Sequence, residues 1–524
     1  MDRRSCRRAD RLGLELRGDI MADLAQTLTS RPAQWGWLRE GSLSLGLALA
    51  LAALLIRYPA FGDPNYHIDE GFYLFVGQQM QHGLLPYLDI WDRKPAGLFL
   101  LYGTIASFGG IVAYQLTAGV FAWATACVVA AVVGRFADRT AAVLAGVLYL
   151  CLIGALAGGG GQSPIFYNLF VALAGLLVLQ VIEARSDAPG WRGDAAMVLC
   201  GLALTIKPTA VVEGAFFGLA LLIVRWLCSR ALIATMLLGV RLAVFGALPT
   251  LLIWAWFAAM GGFAEYWFAT MQSIFMTASP PAEAGWMRLR YLLAITWLPL
   301  ALALAGVAML LRTPEHLGQP QAWFVAGWLG AALLGFLTVP NFYDHYALPV
   351  ATAVAVACGA LFARPTTGPV LGAAACLYVL YASGFPAAQL DRAARSAEGY
   401  ASAQATIARH IGDGCLFAYD APPALYRGFR VCDGTRYLFP EHLSNQREAA
   451  AIGADPVEEL ARVLEGKPAV IVASAEPTVE TPNRATRELI EAHLAGRYTL
   501  VGTAELADVV RPQTIEIWAT KSSR

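Results

Sequence analysis

Long apolar segments alternate with short polar ones over most of the chain. The first apolar run covers residues 42–56 and follows a polar, Arg-rich segment, 1–41. The later runs are 97–109, 111–134, 140–157, 164–182, 195–206, 209–227, 240–260, 289–311, 322–339, 346–363 and 369–385. A helix needs about 20 apolar residues to cross a bilayer, so this pattern predicts about 11 full spans, with 97–109 as a partial one.

The tail, residues 386–524, has a different pattern, in which short β-like runs alternate with helical ones. The candidate strands are Leu416–Tyr419, Ala469–Ala473, Tyr498–Gly502 and Thr514–Ala519, and the candidate helices are about 396–411, 456–465 and 483–495. This pattern predicts a small α/β domain. No Gly-rich phosphate loop follows a strand, so we do not predict a nucleotide site.

Composition narrows the class of protein. Of the 524 residues, 57% are hydrophobic and 15% are charged, against roughly 25% charged in a typical soluble domain. These figures exclude a soluble enzyme, a disordered chain and a coiled coil. We therefore predict a mainly α fold, a polytopic transmembrane helical bundle with a small C-terminal extracytoplasmic α/β domain. The 38 basic and 38 acidic residues balance, so no nucleic-acid partner is indicated.

The distribution of arginines predicts the orientation. The loops after alternate spans carry Arg135/Arg139, Arg185/Arg192, Arg225/Arg230, Arg312 and Arg364, which favours the cytoplasmic side. The N-terminus is then cytoplasmic whether translation starts at Met1 or Met21, and the first helix is uncleaved. The membrane module, 42–385, would expose its loops 57–96, 158–163, 261–288 and 340–345 on the outer side, together with the tail.

Two of the nine cysteines, Cys415 and Cys432, share the polar tail, whereas most of the others lie in apolar runs. They could form a disulfide if the tail is outside the cytoplasm. The sequence does not place their Cα atoms, so both states stay open.

The first outer loop contains adjacent carboxylates, Asp69 and Glu70, within His67-Ile68-Asp69-Glu70-Gly71-Phe72-Tyr73. Charges just past a transmembrane helix are costly unless they are paired or functional. A carboxylate here can accept a proton from an acceptor hydroxyl or amine, or ligate a divalent ion. The alternative is a solvated loop in which Asp69 caps a helix.

Two Lys-Pro pairs, Lys94-Pro95 and Lys207-Pro208, fall on the predicted outer side, against the positive-inside trend. Two ammonium groups at membrane depth suit one anionic group, such as a lipid phosphate. The alternative is snorkelling, in which each ammonium reaches the lipid headgroups.

A third outer segment, Asn341–Tyr346, contains Tyr343, Asp344 and His345. Asp344 beside His345 could bind a sugar hydroxyl, a phosphate or a metal. The alternative is an interfacial aromatic belt. The remaining His are scattered, so no cofactor is predicted, and a requirement for a divalent metal stays open.

Together these motifs resemble those of the C-type (GT-C) membrane glycosyltransferases, in the branch of protein O-mannosyltransferases and lipid A aminoarabinose transferases. The resemblance rests on the external Asp-Glu-Gly-Phe-Tyr, on Pro86-Tyr87-Leu88-Asp89-Ile90-Trp91-Asp92-Arg93-Lys94-Pro95, and on the later Lys-Pro and Tyr-Asp-His-Tyr motifs. It covers most of residues 42–524. Departures are Phe72 where the aminoarabinose branch has Arg, Arg93 where it has an acid, and a second outer loop with no acidic residue.

The resemblance implies an inverting transfer of a sugar from a polyprenyl-phosphate donor to an envelope lipid, polysaccharide or protein on the periplasmic face of a bacterial inner membrane. Asp69, with Glu70 beside it, would be the catalytic acid/base. Lys94 and Lys207 would bind the lipid phosphate, with Arg93 adding positive charge. The weaker substrate-binding candidates are Tyr73, Asp92, Tyr343, Asp344 and His345.

Two other functions remain open. A transporter or flippase of lipid-linked sugars would have charged residues within its spans and symmetry between its halves. A non-catalytic membrane scaffold would leave Asp69, Lys94 and Lys207 freely replaceable. Neither internal symmetry nor many buried charges are evident in the sequence.

Overall fold

The computed structural model describes residues 42–185, 188–312, 320–507 and 512–521. The predicted cytoplasmic segment 1–41, including Met21, lies outside the described residues. The chain divides into two compact units, Met1–Ala48 and Leu49–Arg524, and the architecture below is that of the second. The predicted boundary at 385/386 stays a prediction.

Each predicted apolar run contains a helix. In chain order the helices of residues 42–382 are α1 Ser42–Arg57, α2 Ile68–Gln81, α3 Ala96–Ala106, α4 Ile111–Val133, α5 Arg139–Ala155, α6 Ser163–Glu183, α7 Gly190–Ile206, α8 Val211–Ser229, α9 Leu232–Ala259, α10 Phe263–Trp267, α11 Ser273–Met276, α12 Ala282–Arg312, α13 Pro320–Leu337, α14 Leu348–Phe362 and α15 Thr367–Ala382. In the described residues, eight helical segments are long and apolar enough to cross a membrane. The fold is a polytopic membrane fold, as predicted.

Apolar side chains cover helix faces that no other described part of the chain buries. Only 11% of the most apolar 18-residue stretch of α9 is buried inside the protein, against 78% of the corresponding stretch that contains α14. Leu237, Val240 and Leu252 on α9 are each more than 60% exposed. A helix closes its own backbone hydrogen bonds, so such a face is stable in lipid. Helix α14 is therefore central, whereas α9 is peripheral and faces lipid.

Helix α3 is the short helix expected from the run 97–109. Its 11 residues rise about 1.5 Å each, far short of the roughly 30 Å hydrocarbon core of a bilayer. The neighbouring α5 and the segment Gln321–Leu337 are also shorter than a standard span. The number of helices that cross completely stays a prediction.

Loops predicted to lie on one side of the membrane contact one another. In the set predicted to be cytoplasmic, Arg135 Nε donates to Glu183 at 2.9 Å, and Gln321 donates to the same carboxylate at 3.3 Å. In the outer set, Trp91 N donates to Arg436 O at 2.8 Å, which joins the first loop to the tail. These contacts are those expected if each set shares a side.

The tail folds as the predicted α/β arrangement. Its helices are α16 Ala387–Ile411, α17 Pro440–Ser444, α18 Pro456–Glu465 and α19 Arg484–Arg497, and its strands are β1 Leu416–Tyr419, β2 Val470–Ser474, β3 Tyr498–Ala507 and β4 Pro512–Thr520. The sheet order is β1-β2-β4-β3, with β1 parallel to β2 and the other pairs antiparallel. Cys415 and Cys432 form a disulfide next to β1.

A buried carboxylate joins the tail to the membrane helices. Asp63, in the loop after α1, accepts hydrogen bonds at 2.6 Å from both Arg392 and Ser396 of α16. Its side chain is fully buried, and that of Arg392 is 12% exposed. Each ion would be unfavourable in this position without the other.

We expect Asp63→Ala to lower the free energy of unfolding by about 3–5 kcal/mol, because Arg392 would stay buried without a carboxylate. The measurement is the apparent melting temperature of the detergent-solubilised protein. The matched control is Asp391→Ala, in an exposed pair with Arg395, where we expect a change of no more than about 0.5–1 kcal/mol. Equal melting temperatures for the two variants would contradict this account.

Candidate active site

A cavity of about 240 Å³ opens where the outer loops meet the ends of α6, α7 and α8. Six of the sequence-predicted residues line it: Asp69, Tyr73, Arg93, Lys94, Lys207 and His345. They come from four separate segments of the chain. Glu70, Asp92, Tyr343 and Asp344 do not line the cavity.

Asp69 is fixed by the start of a helix. His67 is the N-cap of α2, and its Nδ1 accepts a hydrogen bond from Asp69 N at 3.2 Å. The Asp69 carboxylate lies 3.6 Å from Lys94 Nζ and 3.9 Å from His345 Nε2. Burial alone would raise its pKa, but Lys94 and the neighbouring His and Lys side chains outweigh burial and lower it. Asp69 is therefore an ionised carboxylate at neutral pH.

Lys94 is held by its backbone. Asp92 Oδ1 accepts from Lys94 N at 2.7 Å, and the Tyr87 hydroxyl donates to Lys94 O at 2.6 Å. Its ammonium lies 5.4 Å from the centre of the Tyr73 ring and 5.6 Å from that of Phe439. Burial lowers the pKa of Lys94, but Asp69 and Asp92 reverse this and raise it above the usual range. Lys94 is a permanent cation beside Asp69.

Lys207 lies at a break between two helices, α7 and α8. It ends α7 in an extended conformation (φ −152°), which the following proline favours. Its Nζ lies 4.2 Å from the centre of the Tyr346 ring. Burial and the charge of Lys94 lower its pKa to about 7, although Asp69 acts in the opposite direction. Its charge therefore changes near neutral pH.

The segment around His345 contributes two side chains to the cavity, His345 and Tyr346, and two more that hold His345. Asp344 Oδ1 lies 3.5 Å from His345 Nδ1. The Tyr343 ring stacks on that of His345 at 5.8 Å and lies under Arg288, whose guanidinium carbon is 4.1 Å from its centre. Asp344 and Tyr343, predicted as substrate contacts, therefore position His345.

Arg93 and Asp92 each interact with a side chain of the tail. Arg93 pairs with Glu448 and donates to Thr277 Oγ1 at 2.8 Å, so much of its charge is already balanced. Asp92 is buried 3.8 Å from His442 Nε2. Burial raises the pKa of Asp92, and burial together with Arg93 and Lys94 lowers that of His442 well below its usual range. Asp92 does not line the cavity, and its role as a substrate contact stays a prediction.

Glu70 faces away from the cavity, although it was predicted to act beside Asp69. Its carboxylate packs against Gly160, where an added Cβ would lie 1.9 Å from Oε2. Burial raises its pKa to about 8, despite the opposing effects of the Gly161 N–H and Arg57. Consecutive residues on a helix point about 100° apart, so one carboxylate reaches the cavity and the other the interior. The catalytic prediction for Glu70 is not supported by this placement.

Glu70 and Arg57 together shape the second outer loop. Arg57 donates to the carbonyls of Gly158 and Gly160 at 2.7 and 2.6 Å, and the Tyr102 hydroxyl donates to Gly161 O at 2.6 Å. Added Cβ atoms at these glycines would meet neighbouring atoms at 1.9–2.7 Å. The glycine run is therefore needed for close packing, and it delivers Gln162 and Ser163 to the cavity.

Sequence reasoning missed several residues of the cavity. Glu213 lines it and accepts a hydrogen bond from Trp328 Nε1 at 2.7 Å; a carboxylate inside an apolar run was the available signal. Gln162 and Tyr167 also line the cavity. Phe439 and Glu448 reach the site from the tail, and no local sequence motif predicts this.

The described part of the chain contains no group of three or more His, Cys, Asp or Glu side chains placed to hold a metal ion. Nδ1 of His67, whose ring lies 5.1 Å from that of His345, accepts the hydrogen bond that caps the helix.

A search of solved structures finds similar folds. The crystal structure of ArnT from Cupriavidus metallidurans bound to undecaprenyl phosphate superposes with a TM-score of 0.60 over 94% of this chain and 99% of that one, at 16% sequence identity. The chain has the same fold as ArnT. The archaeal oligosaccharyltransferase AglB from Archaeoglobus fulgidus, in complex with an inhibitory peptide and a dolichol-phosphate, follows with a TM-score of 0.51 and 10% identity over 84% and 70% of the two chains. No protein-family model and no curated protein sequence matches the chain.

We expect Gly160→Ala to lower the free energy of unfolding by about 1–3 kcal/mol, because the new methyl group would overlap Glu70 in a packed interior. Its apparent melting temperature should fall relative to the parent protein. The control is Gly330→Ala on α13, where no atom lies within 4 Å of the added Cβ and helix propensity favours alanine. A melting temperature for Gly160→Ala equal to that of the parent would contradict the proposed packing.

Proposed function

We propose that this protein transfers a sugar from a polyprenyl-phosphate donor to an acceptor of the cell envelope. One observation carries the proposal: Asp69, Lys94 and Lys207, three charges from different segments, line one cavity at the ends of the membrane helices. Intramembrane and boundary charges are unfavourable unless they serve a function. The fold shared with ArnT is consistent with the proposal, and the chemistry is inferred from the cavity.

The two lysines are suited to the donor phosphate. Both ammonium groups lie over aromatic rings, which leaves their N–H donors available to an anion. Apolar side chains line another part of the cavity, among them Ile274, Ala332, Phe336 and Val339. A lipid chain would leave along these residues. The cavity, at about 240 Å³, is smaller than the roughly 300–1,000 Å³ of most ligand pockets, which favours a monosaccharide donor.

Asp69 is suited to the acceptor. An acceptor hydroxyl or amine hydrogen-bonded to its carboxylate would attack the anomeric carbon as the bond from that carbon to the phosphate oxygen breaks. The proton passes to Asp69, and the phosphate leaves with the bonding electrons and an added negative charge. Lys94 and Lys207 would stabilise that growing charge, which is the larger part of the catalysis we propose. Attack opposite the leaving group gives inversion, and no step requires a metal.

The tail and the outer loops would face the periplasm of a bacterial inner membrane. The Cys415–Cys432 disulfide supports this placement, because disulfides persist in oxidising compartments. The arginine-rich loops would then be cytoplasmic, as the positive-inside rule requires. The acceptor is an envelope lipid, polysaccharide or protein.

We expect Asp69→Asn to abolish transfer, because an amide cannot take the proton, while the binding of undecaprenyl phosphate persists. The measurement is mass spectrometry of envelope glycans from a deletion strain that carries each variant at equal protein level. The matched control is Asp89→Asn, an exposed carboxylate of the same loop that caps Leu85 N at 2.8 Å, which should restore the glycan. Full rescue by Asp69→Asn would favour a transporter or a scaffold instead.

Binding of the donor should depend on pH through Lys207. The pKa of Lys207 is about 7, so the ammonium is present below pH 7 and is lost above it. We expect affinity for an undecaprenyl-phosphate sugar, a phosphodiester of constant charge, to fall above pH 7 by up to about tenfold per pH unit.

Lys207→Arg should flatten that profile, because a guanidinium keeps its charge throughout. Titration of binding from pH 6 to 9 in detergent measures both proteins. A profile with the same slope in Lys207→Arg would assign the titration to another group.

A further inference from the structure

The side chain of Gln162 is buried at the cavity without a partner. The residue is fully buried and lines the cavity. Neither Nε2 nor Oε1 has a hydrogen-bond partner among the described residues. A buried primary amide without partners is destabilising, so the native protein is expected to satisfy it with a bound molecule.

The residues just before Gln162 pack against side chains that neighbour Asp69 and Lys94. Gly160 packs on Glu70, the residue next to Asp69. Gly161 accepts from Tyr102, whose ring lies 5.4 Å from that of Tyr73. Tyr73 in turn lies under the Lys94 ammonium. Gln162 follows directly and is the N-cap of α6, but its side chain makes no capping hydrogen bond. The amide of Gln162 therefore does not cap the helix, which is the usual structural role of a side chain at this position.

We propose that Gln162 recognises a hydroxyl of the donor sugar and selects it against an ammonium group at the same ring position. This inference rests on the proposed function, which gives the phosphate to the lysines and the acceptor to Asp69. The sugar between them then faces the remaining polar wall. A sugar hydroxyl both donates and accepts, so it can pair with Oε1 and Nε2 of one amide together.

The charges around Gln162 support the choice of a hydroxyl. An ammonium group can use only Oε1 and would leave Nε2 unpaired. It would also share a small cavity with Lys94 and Lys207, and like charges repel strongly where water is scarce. Asp69 and Glu213 provide carboxylates on the cavity wall, but Asp69 is already paired with Lys94, and one oxygen of Glu213 accepts a hydrogen bond from Trp328. A site that hydrogen-bonds a hydroxyl discriminates well against analogues that cannot make the same bonds.

The test measures dissociation constants of the full-length protein in detergent for three probes. These are undecaprenyl phosphate alone, the same lipid carrying neutral pentoses or hexoses, and the same lipid carrying the corresponding amino-deoxy sugars. The variants are Gln162→Ala and the nearly isosteric Gln162→Glu. The control is Gln180→Ala, an amide on the same helix that accepts from Arg192 at 3.2 Å, outside the cavity.

We expect the parent protein and Gln180→Ala to bind at least one neutral-sugar donor about tenfold more tightly than its amino-deoxy counterpart. Gln162→Ala should lose about tenfold in affinity for that donor and none for undecaprenyl phosphate alone. Gln162→Glu should reverse or abolish the preference.

Three results would overturn the inference. One is an equal or greater affinity of the parent protein for amino-deoxy donors. Another is an unchanged preference in both Gln162 variants. A uniform loss for all three probes would show that Gln162 only supports the fold. If the parent protein bound neither undecaprenyl phosphate nor any donor, the proposed function itself would fail, and this inference with it.

Discussion

The carboxylate of Asp69 and the ammonium of Lys94 lie 3.6 Å apart at the cavity, and the rest of the site is arranged around them. Each ion lowers the electrostatic free energy of the other, so both stay charged where burial alone would favour their neutral forms. Burial and the charge of Lys94 lower the pKa of Lys207 to about 7, although Asp69 acts in the opposite direction. The site therefore holds one permanent cation, Lys94, and a second cation, Lys207, whose charge an incoming anion would stabilise.

Several parts of the fold serve to keep this pair in place. His67 caps the helix that carries Asp69, and Asp92 fixes the backbone of Lys94. The tail supplies Phe439 beside the Lys94 ammonium and Glu448 against Arg93. The buried pair between Asp63 and Arg392 attaches the tail to the membrane helices from another side. The tail is thus part of the site, and a membrane module without it would lack one wall around Lys94.

The sequence was informative wherever a feature was local. Apolar runs located the helices, and short β-like runs located strands such as β1, whose bounds were predicted to the residue. Asp69, Lys94 and Lys207 were found because each is a charge in an apolar or boundary context. Gln162, Phe439 and Glu448 could not be found in this way, because their importance arises from contacts between segments distant in sequence. Whether Cys415 and Cys432 form a disulfide likewise depended on the tertiary structure.

The different fates of Asp69 and Glu70 show how helix geometry can separate two chemically similar groups. The residues are adjacent in the first turn of α2, and a sequence motif treats them as one acidic pair. On the helix their side chains diverge by about 100°. Asp69 meets cations, so its pKa falls, whereas Glu70 meets the packed glycine run, so its pKa rises to about 8. These two adjacent residues therefore differ in charge at neutral pH. Asp69 is an ionised base, and Glu70 is a largely neutral acid within the protein. The neutral acid fills the space above Gly160 without adding a second negative charge beside Asp69, which would oppose the approach of an anionic lipid.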